Sequence, residues 1–260
     1  MRGHAGEPTH VVVLATLGAA RATGRRRRRR QRLRPAPPQP HPAPVVTARA
    51  TLIAARPFDD EREATRWLDG VDAEAEVGRA MAVLNALLHL HRTATADAAA
   101  RGVSRRQALV ARVGVGAGDQ VAEGRWTRAV EVPPARSERR SAALRPDDRF
   151  AALLTGRDAA LACEELTLRA RADLDAGRRR EAALQLSIAL AAALGELAPW
   201  APRGDLAARV DELRELRPLA ETAAAAALEG GLDDTHLAGV ERVLSRLEAA
   251  LRARSAVGFD

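Results

Sequence analysis

A chain that must build its interior almost entirely from alanine, leucine and valine has few folds open to it. In 260 residues there are three Trp, three Phe and no Tyr, although 47% of the residues are apolar. Small or unbranched side chains let helices approach closely, whereas sheets draw on β-branched and aromatic residues. Isoleucine occurs only as Ile53 and Ile188. The expected fold class is mainly α, within α+β: a small sheet with one long helix at the N-terminal side, then an all-α helical bundle.

The bundle is expected over residues 149–256, after a Pro- and Arg-containing linker over 133–148. Phe150 to Ala176, Arg178 to Ala198, Asp205 to Leu216, Pro218 to Glu229 and Asp234 to Arg254 read as helices. Gly177, Pro199, Pro202 and the Gly230-Gly231 pair punctuate them. Pro218 suits a first helical turn and not an interior, so it is taken as a helix start. In the last helix Leu237, Val240, Leu244, Leu247 and Leu251 alternate three and four apart, a seam about two heptads long. Glu241, Arg242, Ser245 and Glu248 fall on the other side and are expected to face water.

Residues 45–132 read as a small α+β module. Val45 to Ala55 has strand character, with Val46, Ala48, Ala50, Leu52 and Ala54 as its apolar set. Asp59 or Asp60 can cap a helix that carries Glu61 and Glu63 in its first turn, turns Trp67 and Leu68 inward and stops at Gly70. A long helix from Ala73 to Ala98 places Val77, Met81, Leu84 and Leu88 on one stripe. Ala80, Val83, Leu87 and Leu90 widen that stripe, which predicts burial on more than one side. Gln107 to Val115 and Thr127 to Val132 complete an expected sheet of about three strands packed on the long helix.

Residues 1–44 are expected to be a disordered Arg/Pro-rich tail. They carry ten Arg and one Glu, a charge of +9 within a chain total of +7. Residues 45–132 sum to zero, 133–149 to +2 and 150–260 to −4. Arg25, Arg26, Arg27, Arg28, Arg29 and Arg30 form an unbroken run, and Pro35 to Pro44 holds six prolines. Like charge and proline both oppose collapse. The six arginines are the candidate nucleic-acid-binding residues, because each neutralised phosphate adds salt-dependent affinity. No aromatic side chain is interleaved with them to stack on bases. The chain has no Lys, and Ala, Arg, Gly and Pro share GC-rich codons, so part of the Arg enrichment reflects codon bias. Val11 to Ala20 is an apolar run followed by Ala20-Arg21-Ala22, the outline of a signal-peptidase site. The positive block follows the run instead of preceding it, and ten residues are too few to span a bilayer, so an apolar patch within the tail is expected. The single Cys163 excludes an intrachain disulfide and fits a reducing, cytoplasmic setting.

Sites of known chemistry are not legible. Gly114-Val115-Gly116-Ala117-Gly118 follows a strand, but the third glycine of a dinucleotide fingerprint is Asp119, and Gly124 interrupts any following helix. A turn between strands is the expectation, and without Lys there is no Walker loop. His89 and His91 are two apart on a helix, about 200° around its axis, and cannot grip one metal together. His91 is expected at the edge of the core. Cys163 beside Glu164 and Glu165 has acids that raise a thiol pKa, the wrong direction for a nucleophile, and Cys163, Leu166, Ala170 and Leu174 share one helical face. Cys163 is therefore expected in the core. No catalytic, metal or cofactor-binding residue is assigned and no cofactor is expected.

Ala170, Gly177, Glu181-Ala182, Leu186 and Ala189-Leu190 resemble the small and large positions of a tetratricopeptide helical hairpin. That resemblance implies two antiparallel helices in close approach over 166–194. Asp173 stands at the usual aromatic position, Leu194 at the usual proline, and no second copy follows at the 34-residue period of the family. The resemblance is thus to one hairpin, not to the repeat family. The functional expectation is a non-enzymatic protein-interaction or scaffold protein. The alternative is a nucleic-acid-associated protein acting through the Arg-rich tail, and a third is an enzyme using the Asp119–Trp126 loop.

Overall fold

The computed structural model describes residues 9–18, 45–54, 57–134 and 146–256. The chain divides between Ala135 and Arg136 into two compact units.

The first unit corrects the expected tail. Strand β1 (His10–Leu17) pairs antiparallel with β2 (Thr47–Ala54), from His10 opposite Ala54 to Leu17 opposite Thr47. The run His-Val-Val-Val-Leu-Ala-Thr-Leu has high strand propensity, and β2 gives it a ladder. Charge and proline counts over residues 1–44 averaged that signal away. The rest of the expected tail, 1–8 and 19–44, lies outside the described residues. Residues 18–46 connect two hydrogen-bonded neighbours, so Arg25–Arg30 belong to an insertion between β1 and β2.

Helix α1 (Glu61–Gly70) starts at Asp60, whose carboxylate accepts from the Glu63 amide at 2.7 Å. Glu63 reaches back to the Asp59 amide, also at 2.7 Å, so two end donors are satisfied reciprocally. Helix α2 (Ala73–Thr95) starts at Asp72, which accepts from the Ala75 amide, and ends at Ala96 in the left-handed region. Asn85, half-way along α2, holds the following loop in both directions. Its amide nitrogen donates to the Val103 carbonyl and its carbonyl accepts from the Val103 amide. Val77 and Leu84 are buried, but Leu90 and His91 are exposed. The stripe therefore covers one side of α2 only, and His91 is not at the core edge.

Strands β3 (Ala111–Val115) and β4 (Arg128–Val132) form a separate antiparallel pair. Among the described residues there are thus two two-stranded sheets, not one three-stranded sheet. The segment before β3 is a short 3-10 turn, Arg105–Gln107. Ala64 and Leu68 of α1 pack with Val115 of β3, and Trp67 and Val113 lie against them.

The second unit is the bundle. Its first helix, α3 (Pro146–Leu154), begins inside the expected linker; residues 135–145 lie outside the described residues. The single helix expected from Phe150 to Ala176 is two, α3 and α4 (Ala162–Asp175), because Gly156 takes a φ of +72° and turns the chain. Helix α5 (Arg179–Glu196) follows Gly177. Asp205–Leu216 and Pro218–Glu229 are one continuous helix, α6 (Leu206–Glu229), with Pro218 inside it. Leu213, Leu216, Ala220, Ala223 and Ala227 keep one buried stripe on both sides of the proline, while Pro218 is exposed. Burial of that stripe outweighs the proline cost of about 3 kcal/mol. Helix α7 (Asp234–Ala256) packs on α6 and also on α5 and α4, closing the bundle. The α4–α5 hairpin has the close approach that its small residues imply: Ala170, Ala182, Ala183 and Ala189 are all buried.

Candidate functional site

Chemistry in the bundle is concentrated at one ionic cluster. Asp158, in the turn after α3, is 1% exposed at its side chain, and Arg254, in the last turn of α7, is 2% exposed. Arg254 Nη2 donates to Asp158 Oδ1 at 2.5 Å, and Arg149 of α3 donates to Asp158 at 3.3 Å and to Glu164 of α4 at 2.5 Å. The Arg254 guanidinium also lies 4.8 Å from the centre of the Trp200 ring. Two arginines and two carboxylates make a neutral cluster that joins α3, α4 and α7. Burial pushes the Asp158 carboxyl up, but the Arg254 hydrogen bond, the Ala159 amide and the nearby positive charges outweigh it, and the net direction is downward. Every charge in the cluster is matched, which is the condition for tolerating burial and not the condition for acid–base chemistry. Arg254 sits at the end of α7, yet its partner, Asp158, is 96 residues away in sequence.

Cys163 is buried in the bundle core, as its helical face implies. Burial pushes its thiol far above the ordinary range, and Glu196 beside it pushes further in the same direction. The acid involved is Glu196 of α5 more than its sequence neighbours. Glu196 accepts from the Ala162 and Cys163 amides at 3.2 and 2.9 Å, capping the start of α4 from another helix. Burial raises the Glu196 carboxyl and these bonds lower it, with a downward net. Burial and a neighbouring acid both disfavour the thiolate, the form that a nucleophile needs. A shallow groove of about 500 Å³ runs between the end of α4 and the first turn of α7, lined by Arg171, Leu174, Gly177, Arg179, Leu237 and Glu241. Arg171 is held by Glu248 at 2.7 Å.

In the first unit the glycine-rich segment is a turn between strands. A three-residue 3-10 turn, Asp119–Val121, follows β3, and the chain returns directly into β4. No helix start is aimed at a phosphate there. His89 is half-buried and His91 exposed, and the spacing keeps them apart. Among the described residues no group of three or more His, Cys, Asp or Glu is placed to hold a metal. Arg25–Arg30 lie outside the described residues.

The surface that stands out is the β1–β2 ribbon. Residues directly opposite in an antiparallel pair share a face. Thr51 and, less completely, Thr47, Arg49 and Ile53 are covered. Val12, Leu14 and Thr16 of β1, with Leu52, Ala50 and Ala48 of β2, share the opposite face. Leu14 is 58% exposed, and Ala48 and Ala50 are exposed with it. The alanines of the apolar set in the β2 sequence thus lie at exposed positions. Alanines bury little area, whereas Thr51, Ile53 and the methylene stem of Arg49 bury more. The outer edge of β1 has no proline and no acid, Arg or Lys, the groups that usually block an edge strand from further pairing.

No family model, no curated protein and no solved structure matches the chain. Among the described residues no helix is long and apolar enough to cross a membrane.

Proposed function

We propose that the chain is a non-enzymatic interaction protein, with the α3–α7 bundle as a stable scaffold and the β1–β2 ribbon as the contact for a protein partner. The observation that carries this reading is the ribbon itself. It offers an apolar face centred on Leu14 and an uncharged strand edge, which is the chemistry for adding an extended, uncharged segment as a third strand. The chemistry found in the bundle supports the scaffold role, since the Asp158–Arg254 pair and the Cys163 thiol are buried within it. A reducing, cytoplasmic setting suits a protein with one buried cysteine. Selection from a random peptide library tests the reading. The full chain should enrich β-branched, uncharged sequences, and Leu14→Glu should abolish that enrichment. Enrichment of acidic sequences, or none, would overturn it.

A second reading, contact with nucleic acid through Arg25–Arg30, draws support from the position of the run. The run is tethered at both ends, because Leu17 and Thr47 are paired. Deleting residues 1–44 would also remove β1. Changing the six arginines to serine leaves both strands in place. An electrophoretic shift that the full chain gives and this variant loses would support the reading. Retention of the shift would reject it.

A further inference from the structure

Helix α5 is apolar all the way round, yet its own chain covers only part of it. From Ala182 to Gly195 it carries no charged residue. Helices α4, α6 and α7 pack on it, and Ala182, Leu186, Ala189, Leu190 and Ala193 are buried there. The opposite face carries Leu184, Ile188, Ala191 and Gly195, spaced four, three and four apart. Ile188 is 60% exposed, Ala191 and Gly195 are exposed, and Leu184 is half-buried. A helix apolar on every side is ordinarily buried on every side, and this spacing is that of a seam between two helices.

The seam has a large half, Leu184 and Ile188, and a small half, Ala191 and Gly195. A Cβ built on Gly195 would meet nothing within 4 Å, so packing within the chain does not require glycine there. Reversing the helix about the midpoint between Ile188 and Ala191 sets Ile188 against Ala191 and Leu184 against Gly195. Large then faces small in every layer, which is the condition for interdigitation, and the match is to the same sequence. A parallel copy would instead set Ile188 on Ile188 and glycine on glycine. Charge agrees with the reversed order. The Gln185 side-chain amide donates to Asp173 at 2.5 Å, and the Ala162 backbone amide donates to Glu196 at 3.2 Å. These contacts fix the level of α4 against α5 and put the middle of the seam beside Glu165 and Arg169, an exposed pair one turn apart on α4. In an antiparallel copy that order is reversed, so each Glu165 comes level with Arg169 of the other copy.

We propose that the exposed face of α5 is the contact between two copies of this chain, paired antiparallel about a two-fold axis between Ile188 and Ala191. The area suits this. Helix α5 has 18 residues and is about 27 Å long. Helices α4 and α6 lie on either side of it, so at about 10 Å between axes the three present a face of roughly 800 Å². That is the area each partner contributes to an interface of standard size. The surface belongs to the bundle and is distinct from the β1–β2 ribbon of the first unit.

Sedimentation equilibrium of the full chain over a range of concentrations is the test. The mass should rise to that of two chains. Ile188→Arg should weaken the association at least about a hundredfold, because symmetry places the substitution in the interface twice. Gly195→Leu should also weaken it, while the melting temperature of the dilute single chain stays unchanged, since nothing of the same chain lies within reach. Direction is read with added cysteines, the native Cys163 being buried. A mixture of Ile188→Cys and Ala191→Cys should form the mixed disulfide faster than either variant forms its own. A single-chain mass at every concentration up to about 100 μM would overturn the proposal, because interfaces of this size are micromolar or tighter. A dimer that Ile188→Arg and Gly195→Leu leave intact, or that Leu14→Glu abolishes, would place the contact elsewhere and overturn it too. Faster disulfide formation by Ile188→Cys alone would overturn the antiparallel pairing and the proposal with it.

Discussion

The two units use the same few amino acids and solve burial to very different degrees. In the bundle one cluster of twenty apolar residues is buried, from Cys163 to Ala250, and most are alanine, leucine or valine. In the first unit the corresponding cluster is Ala64, Leu68 and Val115. The contrast comes from geometry. A helix with apolar residues three and four apart turns a whole stripe towards its neighbours, and alanine lets the axes approach, so small side chains suffice. A two-stranded ribbon has two faces and can cover only one of them with the elements available, so Leu14 stays in water although it is as apolar as Leu244. Charge follows the same division: the bundle encloses the Asp158–Arg254 pair, while among the described residues Arg49 of the ribbon makes no ion pair.

The largest effect that would break this contrast is on the bundle core. Leu244 is fully buried, and Leu244→Ala should destabilise the bundle by roughly 2–5 kcal/mol. Denaturant melts followed by Trp200, with Trp67 and Trp126 replaced by Phe, isolate the bundle signal. A change below about 1 kcal/mol would mean the α7 seam is not the core it is described to be.

Next in size is the buried ionic cluster. Arg254→Met removes one partner of Asp158 and should cost about 3 kcal/mol, at the low end for breaking a buried pair because Arg149 still reaches Asp158. The double variant Arg254→Met with Asp158→Leu should recover part of the loss, since no unpaired buried carboxylate remains. No recovery would show that the arginine acts through packing on Trp200 instead of through charge.

Acid should separate the units by the same cluster. The Asp158 carboxyl is held below its ordinary value in the fold, as is that of Glu196. A depressed folded value gives stability that is fully present above the unfolded value, about 4 for these carboxyls, and is lost as pH falls through the folded one. Bundle stability attributable to these groups should therefore be flat from pH 7 to about 5 and decline below about 4. Asp158→Asn should flatten the decline. An unchanged acid profile in that variant would remove Asp158 from the explanation.

Glu248 sharpens the comparison within α7. Its spacing places it on the polar side of the helix, yet Arg171 of α4 holds both of its oxygens, at 2.7 and 3.1 Å. Arg171 is about a third exposed at its side chain, so solvent screening limits the pair. Glu248→Ala should cost about 1 kcal/mol, against no measurable loss for the exposed Glu241→Ala. Equal effects would return Glu248 to the simple surface role.

What was legible in the sequence is what repeats locally. The seam of α7, the Asp60 cap of α1 and the buried face of Cys163 each depend on residues within a few positions of one another. The departures have the opposite character. The break at Gly156 rests on a single glycine, and the continuity of α6 through Pro218 rests on burial along its far side. Asp158–Arg254 and Arg171–Glu248 join residues 96 and 77 apart, with no local sign in either partner. Strand β1 was hidden by the Arg run and proline tract that follow it, and the facing of β2 by alanines too small to mark a core. The candidate interaction surface was invisible for the same reason, since it exists only once β1 and β2 are paired.

The smallest effect bears most on function. Leu14→Glu replaces an apolar side chain that is 58% exposed on the open face of the ribbon. Its burial contributes little, and the partner across the ladder is the exposed Ala50, which offers neither packing nor charge to lose. Strand propensity falls on going to glutamate, but the whole propensity scale spans about 1 kcal/mol, so the loss should stay below that. The equivalent change at Leu244 would bury a carboxylate in the bundle and should prevent folding. Thermal melts of Leu14→Glu should therefore overlay those of the parent while peptide capture is lost, which would separate the surface from the fold. A large drop in melting temperature would show that Leu14 is covered in solution, so that the open face is a core face whose cover must be found.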